Sequence, residues 1–190
     1  MIGLVSPAGT PRPAEKIEQG ARYLEQRGFR VAVGRHAAKV HGYLAGTDEE
    51  RAEDLNAMIR DARVKAIFAT RGGYGTQRIL DRVDFETLRK QPKIVSGFSD
   101  ITGLQLAIWR QCRLATFSGP MPAVEFRQAV DEYTEERFWR LLMTGEREVL
   151  NNPAEMPPRC IQAGLASGIL LGGNLALVAA ALGTPFSPSY

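Results

Sequence analysis

The 190-residue chain contains little of what disulfide frameworks and metal centres are built from, since it has two cysteines and two histidines. Cys112 and Cys160 are far apart and have no C-x-x-C spacing. This predicts two buried thiols that behave as small apolar side chains, rather than a disulfide or a metal pair. So few histidines do not favour a zinc site. We therefore expect neither a metal nor a cofactor.

The sequence also lacks long apolar runs and a large excess of charge of one sign. No apolar run approaches the roughly 18 residues of a membrane span, and the first apolar stretch, Ile2-Gly3-Leu4-Val5, follows no basic segment or cleavage site. This predicts a soluble, cytoplasmic protein without a membrane partner. The 24 basic and 21 acidic residues give a net charge of only +3 and alternate along the chain. We therefore expect no nucleic-acid partner.

What the sequence does contain is a regular alternation of short apolar runs and amphipathic segments. The apolar runs predict strands near residues 2–6, 29–33, 64–69, 93–97 and 114–117. Helical periodicity lies between them, for example after Asp48, which is expected to cap a helix. Strands that alternate with helices are typical of an α/β fold with a parallel sheet and flanking helices.

The character of the chain changes after this alternation. We expect an N-terminal α/β nucleophile domain at 1–125, followed by a helix and linker at 126–159 that includes Asn151-Asn152-Pro153. Residues 160–190 are expected to begin a second domain. That stretch is too short for a core of its own, so the second domain is predicted to be incomplete.

A glycine-rich loop, Arg71-Gly72-Gly73-Tyr74-Gly75, follows the third predicted strand. Its glycines allow positive φ and a close approach of the backbone to a ligand. A tight strand-to-helix turn would use the same residues, so this alternative stays open. The loop matches neither the phosphate-loop pattern, which continues into Gly-Lys-Ser/Thr, nor the dinucleotide fingerprint.

A second loop, Ser96-Gly97-Phe98-Ser99-Asp100, lies between the fourth strand and a helix. This is the arrangement of a nucleophile elbow, in which a sharp turn exposes a serine hydroxyl above the sheet. Only half of the G-x-S-x-G pattern is present, because Ile101 replaces the second glycine. A simple helix cap by Ser99 or Asp100 is the alternative.

Five ordered motifs resemble the LD-carboxypeptidases, a family that includes the microcin-immunity carboxypeptidases. They are Gly42-Tyr43-Leu44-Ala45-Gly46-Thr47-Asp48-Glu49-Glu50-Arg51, the glycine loop 71–75, Gly97-Phe98-Ser99-Asp100-Ile101-Thr102, Ser118-Gly119-Pro120-Met121 and Gly172-Gly173-Asn174-Leu175. The similarity extends over essentially the whole chain. It implies a serine carboxypeptidase that removes the terminal D-alanine from cell-wall tetrapeptide stems by cleaving an L-to-D bond.

The resemblance also implies roles for individual residues. Ser99 would be the nucleophile, and the backbone amides of Asp100 and Gly73 would form the oxyanion hole. A substrate with a free carboxylate also needs a cationic anchor, and Arg71 is the best-placed candidate, with Gly72 and Tyr74 as further substrate-binding residues. Arg71 could equally pair with a structural carboxylate.

The family's triad is Ser-His-Glu, and its Glu and His lie in a C-terminal domain for which this sequence has no matching positions. His36 and His41 precede the serine and are expected on the surface. The expected partner is a small peptide or muropeptide, and the full-length form is expected to be a homodimer.

Three other functions remain open from the sequence. The chain could be an inactive ligand-binding remnant of the same fold, or a microcin-type hydrolase of peptide–nucleotides. The fold alone would also suit a flavodoxin-like or amidotransferase-like module. The last is disfavoured because the elbow residue is serine rather than cysteine and no flavin-phosphate loop follows the first strand.

Overall fold

A four-stranded parallel sheet forms the centre of the computed structural model, which describes residues 1–128, 130–146, 152 and 156–188. The strand order is β2-β1-β3-β4, and each neighbouring pair is parallel. The strands are β1 (Ile2–Val5), β2 (Val31–Val33), β3 (Ala66–Ala69) and β4 (Ile94–Ser96). The predicted α/β fold with a parallel sheet is therefore confirmed.

A helix follows each strand along the chain, and further helices lie beyond the last strand. They are α1 (Glu15–Gln26), α2 (Asp48–Arg60), α3 (Phe85–Lys90), α4 (Thr102–Cys112), α5 (Glu132–Thr144) and α6 (Leu175–Ala181), with 3₁₀ helices at Thr76–Arg82 and Ser99–Ile101. Every residue of β1 and β3 is buried, as expected for central strands covered on both faces. Among the described residues, no helix is long and apolar enough to cross a membrane.

The start of α2 differs from the prediction by one residue. Thr47, rather than Asp48, is the N-cap. Its hydroxyl accepts a hydrogen bond from the Glu50 amide at 3.3 Å, while the Glu50 carboxylate accepts one from the Thr47 amide at 3.0 Å. This reciprocal capping box satisfies two amides that the helix leaves unpaired, and it leaves the Asp48 carboxylate available for other partners.

The predicted fifth strand at 114–117 is wrong. Only Phe117 bridges to the sheet, opposite Ser96 of β4. The Phe117 amide donates to the Val95 carbonyl at 2.9 Å, and the Phe117 carbonyl accepts from the Gly97 amide at 3.0 Å. The chain leaves α4 through Arg113, which has a left-handed φ of 57°. The segment 114–117 reaches the edge of β4 only at Phe117. One paired residue does not make a strand.

The prediction of two buried cysteines is correct for one of them. Cys112 is buried at the end of α4, where burial raises the pKa of its thiol. Cys160 is exposed, because the chain around it does not pack into the core. Of the predicted linker Asn151-Asn152-Pro153, only Asn152 lies within the described residues.

The chain divides into two compact units. The first comprises residues 1–130 together with 172–190, and the second comprises 131–171. Within the second unit, α5 packs Phe138 against Trp139 with ring centroids 5.1 Å apart and ends at Gly145 in a left-handed conformation. Within the first unit, the Asn174 amide before α6 donates to the Thr102 hydroxyl of α4 at 3.0 Å. A domain boundary near residue 160 stays a prediction.

Candidate active site

Three loops meet at the carboxyl edge of the sheet, where ligands of parallel α/β proteins usually bind. They follow β1, β3 and β4, which are neighbours in the sheet. The Gly9 amide of the first loop donates to the Gly72 carbonyl of the second at 3.2 Å. Beneath them, the Ser6 and Thr70 hydroxyls lie 2.6 Å apart, and the Ser6 hydroxyl donates to the Ala37 carbonyl. These hydrogen bonds fix the first two loops relative to each other.

Ser99 occupies the turn between β4 and α4 with a φ of +64°. Apart from Arg113, it is the only described non-glycine residue with a positive φ. For an L-residue this conformation costs on the order of 1 kcal/mol or more and concentrates at functional sites. Its side chain is half-buried at the start of the 3₁₀ helix Ser99–Ile101, which runs directly into α4. This is the backbone geometry of a nucleophile elbow.

Gly72 lies directly beside this serine. A Cβ placed on Gly72 would be 3.0 Å from Ser99 Cβ, 3.2 Å from Ser99 Oγ and 3.3 Å from the Phe98 carbonyl. Any side chain at residue 72 would therefore press on the serine. The predicted proximity of the glycine loop to the serine is thus seen at Gly72, while the convergence of the Gly73 and Asp100 amides on one point stays a prediction.

The Asp100 side chain has a role that the sequence did not predict. Its buried carboxylate accepts hydrogen bonds from the Thr76 amide at 2.8 Å and from the Thr76 hydroxyl at 2.7 Å. Thr76 immediately follows the glycine loop. The residue after the predicted nucleophile therefore ties the elbow to the loop that borders it.

A buried arginine connects the remaining loops. Arg51 Nη1 donates to the Pro7 carbonyl at 2.5 Å and to the Gly75 carbonyl at 2.9 Å, and its Nη2 pairs with Asp48. Arg78 also binds Asp48, and this hydrogen bond does most to hold the pKa of the Asp48 carboxyl below its usual value. Sequence reasoning missed Arg51, although it ends the first motif on which the family resemblance rests.

A cavity of about 350 Å³ opens beside the first two loops. Its wall includes Arg71, Gly73 and two exposed tyrosines, Tyr43 and Tyr74, whose rings meet edge to face at 5.7 Å. The Arg71 guanidinium donates to the Gly72 and Thr10 carbonyls, both at 3.2 Å. No described carboxylate pairs with it.

The two histidines differ from each other. His41 is exposed, as predicted. The prediction of a surface position for His36 is wrong, because its ring is buried with Nδ1 3.1 Å from Asp54 Oδ1 and its amide donates to Asp54 Oδ2 at 2.9 Å. Burial is the main effect on Asp54 and raises the pKa of its carboxyl. The described residues contain no group of three or more His, Cys, Asp or Glu side chains suited to hold a metal ion.

Comparison with known families matches residues 2–119 to the LD-carboxypeptidase N-terminal domain. The chain is 41% identical over 189 residues to a probable murein peptide carboxypeptidase of Bacillus subtilis, covering 97% of this chain and 57% of that protein. It is 31% identical to the murein tetrapeptide carboxypeptidase of Pseudomonas aeruginosa, covering 96% of this chain and 60% of that protein. The chain therefore spans about three-fifths of the length of these relatives.

Solved structures agree with these matches. The muramoyltetrapeptide carboxypeptidase of Oxalobacter formigenes superposes with a TM-score of 0.83 at 30% identity, covering 99% of this chain and 62% of that one. The microcin C7 self-immunity protein MccF, solved in complex with adenosine monophosphate, has a TM-score of 0.82 at 22% identity and shares the fold, covering 99% of this chain and 64% of that one.

Proposed function

Because the chain belongs to the LD-carboxypeptidase family, we propose that it is the nucleophile-bearing part of a serine carboxypeptidase that acts on murein peptides. The reaction proposed is hydrolysis of an L-to-D peptide bond with release of the terminal D-alanine. The observation that carries this proposal is the left-handed Ser99, with a φ of +64° at a strand-to-helix turn. Neither a helix cap nor a tight turn requires a serine in that conformation.

In the proposed mechanism, Ser99 Oγ attacks the carbonyl carbon while a base removes its proton. The amides of Asp100 and Gly73 would stabilise the oxyanion that forms, which requires both N–H groups within about 3.1 Å of one point. Collapse of the tetrahedral intermediate breaks the C–N bond, and the proton passes to the departing D-alanine nitrogen. Water then hydrolyses the acyl-enzyme and regenerates the serine.

The base and its carboxylate partner are proposed to be the His and Glu that the family resemblance implies, contributed by residues outside this sequence. His36 is unsuited to the role, because its ring is buried against Asp54. A serine hydroxyl is a weak nucleophile without an adjacent base. These 190 residues alone are therefore expected to release no D-alanine.

Arg71 is the proposed anchor for the substrate's terminal carboxylate. Its guanidinium is half-buried in the cavity wall and is oriented by two backbone carbonyls. Carbonyls are neutral, and no described acid pairs with Arg71, so its positive charge is not neutralised. A guanidinium held in this way retains donors for a carboxylate and loses little freedom on binding. Gly72 and Tyr74 would complete the surface against which the D-alanine residue rests.

The test is a chimera that joins these residues to the corresponding remainder of the Bacillus subtilis relative. The chimera should release D-alanine from a murein tetrapeptide, measured with a coupled D-amino-acid oxidase assay. Ser99→Ala in the chimera should lower release by at least about 10³-fold. The matched control Ser167→Ala, at an exposed residue of the second unit, should leave it unchanged.

Three results would contradict the proposal. Release that persists in the Ser99→Ala chimera would show that another residue is the nucleophile. Release by the 190-residue chain alone that disappears in Ser99→Ala would show that a base lies within these residues. Hydrolysis of an aminoacyl-adenylate in preference to the tetrapeptide would favour the microcin-type alternative.

A further inference from the structure

A second, strongly basic cavity of about 220 Å³ adjoins the proposed substrate site. It is lined by Pro11, Arg12, Lys16, Arg71, Ala123, Val124 and Arg127. These residues, all from the described part of the chain, include four basic side chains and no acidic one. Arg12 and Arg71 also line the 350 Å³ cavity, so the two cavities share a wall.

The four cations of this wall, which we call the basic cluster (Arg12, Lys16, Arg71 and Arg127), have no described acidic partner. Arg12 Nη2 donates to the Gly42 carbonyl at 2.6 Å, and Arg71 donates to two other carbonyls. Ion pairs do form elsewhere on the surface, for example between Arg63 and Asp61 at 2.7 Å. Gathering four like charges without a counterion is unfavourable, and an anionic ligand would remove that penalty.

The cluster is also held by rigid elements. Lys16 and Gly20 are four residues apart on α1 and so lie on the same face of the helix. A Cβ on Gly20 would lie 2.3 Å from the Pro122 carbonyl oxygen, which shows how closely α1 approaches the turn that precedes Arg127. Tyr23 of α1 stacks on Phe126 with ring centroids 4.4 Å apart.

That turn is fixed to the sheet as well. The Ala123 amide donates to the Thr70 carbonyl at the end of β3 at 2.9 Å. The Glu125 carboxylate, the nearest acid in sequence to Arg127, accepts from the Met121 amide at 2.8 Å. The backbones that carry Lys16 and Arg127 are thus fixed relative to Arg71, as a binding site requires.

The geometry points to a second anionic subsite in which Lys16 and Arg127, with Arg12, bind a carboxylate of an acidic peptide other than its terminal one. This inference rests on the proposed function, because Arg71 is taken to hold the terminal carboxylate. Two cavities that share Arg71 and Arg12 suit one extended ligand with two separated anionic groups. A compact single anion would need only one of them.

The experiment measures binding of the 190-residue chain to the tetrapeptide L-Ala-γ-D-Glu-meso-diaminopimelate-D-Ala by isothermal titration calorimetry. A second peptide carries amides at every carboxylate except the terminal one. The variants are Lys16→Gln/Arg127→Gln and the control Arg89→Gln/Arg110→Gln, which removes two exposed charges from α3 and α4. Lys16→Arg/Arg127→Lys tests rescue by retained charge, and circular dichroism checks that each variant is folded.

We expect the Lys16→Gln/Arg127→Gln variant to bind the acidic tetrapeptide about 10-fold more weakly, as the loss of two charge-assisted contacts predicts. The amidated peptide should bind the unmodified chain more weakly by a similar factor and should be insensitive to the same substitutions. The control should bind like the unmodified chain, and the charge-retaining variant should recover most of the affinity. Raising the salt concentration should weaken binding of the acidic peptide more than binding of the amidated one, because salt screens the extra charge–charge contacts.

Failure of the subsite and failure of the proposed function give different results. If the tetrapeptide binds but neither amidation nor loss of Lys16 and Arg127 changes its affinity, the subsite is wrong and the proposed function stands. If the chain binds neither peptide, the subsite and the role of Arg71 as anchor are both overturned, while release of D-alanine by the chimera still decides the proposed function. If the variant weakens binding of adenosine monophosphate and leaves the tetrapeptide unaffected, the cluster binds a phosphate and the peptide assignment is wrong.

Discussion

Substituting Gly20 with alanine should have two opposite effects on the stability of the fold. Gly20 lies inside α1, where alanine is favoured over glycine by about 1 kcal/mol. The added Cβ would lie 2.3 Å from the Pro122 carbonyl oxygen and 2.5 Å from its carbonyl carbon. Both are backbone atoms that cannot rotate away. Restoring an ordinary contact of about 3.5 Å requires α1 or the turn to move by roughly 1 Å.

The structure predicts that the steric effect is the larger one. Overpacking a closely fitted interface typically costs about 1–3 kcal/mol, and here the moving parts are a helix and a turn bonded to β3. Because the atoms in the way belong to the backbone, the cost should lie in the upper part of that range, at about 2–3 kcal/mol. Subtracting the gain of about 1 kcal/mol in helix propensity, we expect a net loss of about 1–2 kcal/mol in the free energy of unfolding. For a chain of this size the melting temperature should fall by about 3–6 °C. Urea titration followed by tryptophan fluorescence measures the same loss independently.

Gly103→Ala is the matched control. Gly103 also lies inside a helix, α4, but its added Cβ would meet the Gln77 side chain at 3.1 Å and Leu177 Cδ1 at 3.8 Å. Gln77 is exposed and can move by the few tenths of an ångström required. Helix propensity should therefore dominate, leaving this variant as stable as the unmodified chain or more so. If Gly20→Ala equals or exceeds Gly103→Ala in stability, the close packing of α1 on the turn is refuted.

Three further predictions follow, two on the site and one on the buried pair of His36 and Asp54. Gly72→Ala in the chimera should lower kcat by about 10-fold or more, since its Cβ would lie 3.2 Å from Ser99 Oγ and a small displacement of a nucleophile is costly; unchanged kcat would separate residue 72 from the chemistry. Thr76→Val should destabilise the chain by about 1–3 kcal/mol in urea titration by removing one of two hydrogen bonds to the buried Asp100 carboxylate; an unchanged unfolding midpoint would show that this bond does not matter. The Asp54 carboxyl should titrate above its ordinary 3.8 in carbon-13 NMR, because burial raises its pKa. Its contribution to stability should be complete below pH about 4 and decline as pH rises through the raised pKa, and titration at or below 3.8 would contradict the buried placement.

Local features of this protein could be predicted from its sequence because they depend on neighbouring residues. The apolar runs 2–6 and 64–69 became β1 and β3, since a strand buried on both faces needs only a short continuous apolar segment. Asp84 caps α3 through the Thr87 amide, as short-range capping chemistry requires. The strand before Ser99 and the helix after it predicted a strand-to-helix turn, and the backbone has that turn. The role of Ser99 as nucleophile stays a prediction.

Other features depended on contacts that no local pattern records. Arg51 lies among acidic residues of α2 and resembles a surface residue, yet it is buried because the carbonyls of Pro7 and Gly75 accept its hydrogen bonds. His36 is buried for a similar reason, through Asp54, which is 18 residues away. In both cases the partner is supplied by a separate element of the fold.

The basic cluster is the clearest example of a feature that depends on the tertiary structure and not on the local sequence. The sequence by itself determined that the chain carries nearly balanced charge and no long basic run. Only the tertiary structure brought Lys16 from α1 and Arg127 from a turn to the same cavity as Arg71 from the glycine loop. Electrostatic interaction depends on distance through space rather than along the chain. Folding therefore decides where like charges gather, and in this protein it gathers them beside the glycine loop that borders the proposed nucleophile.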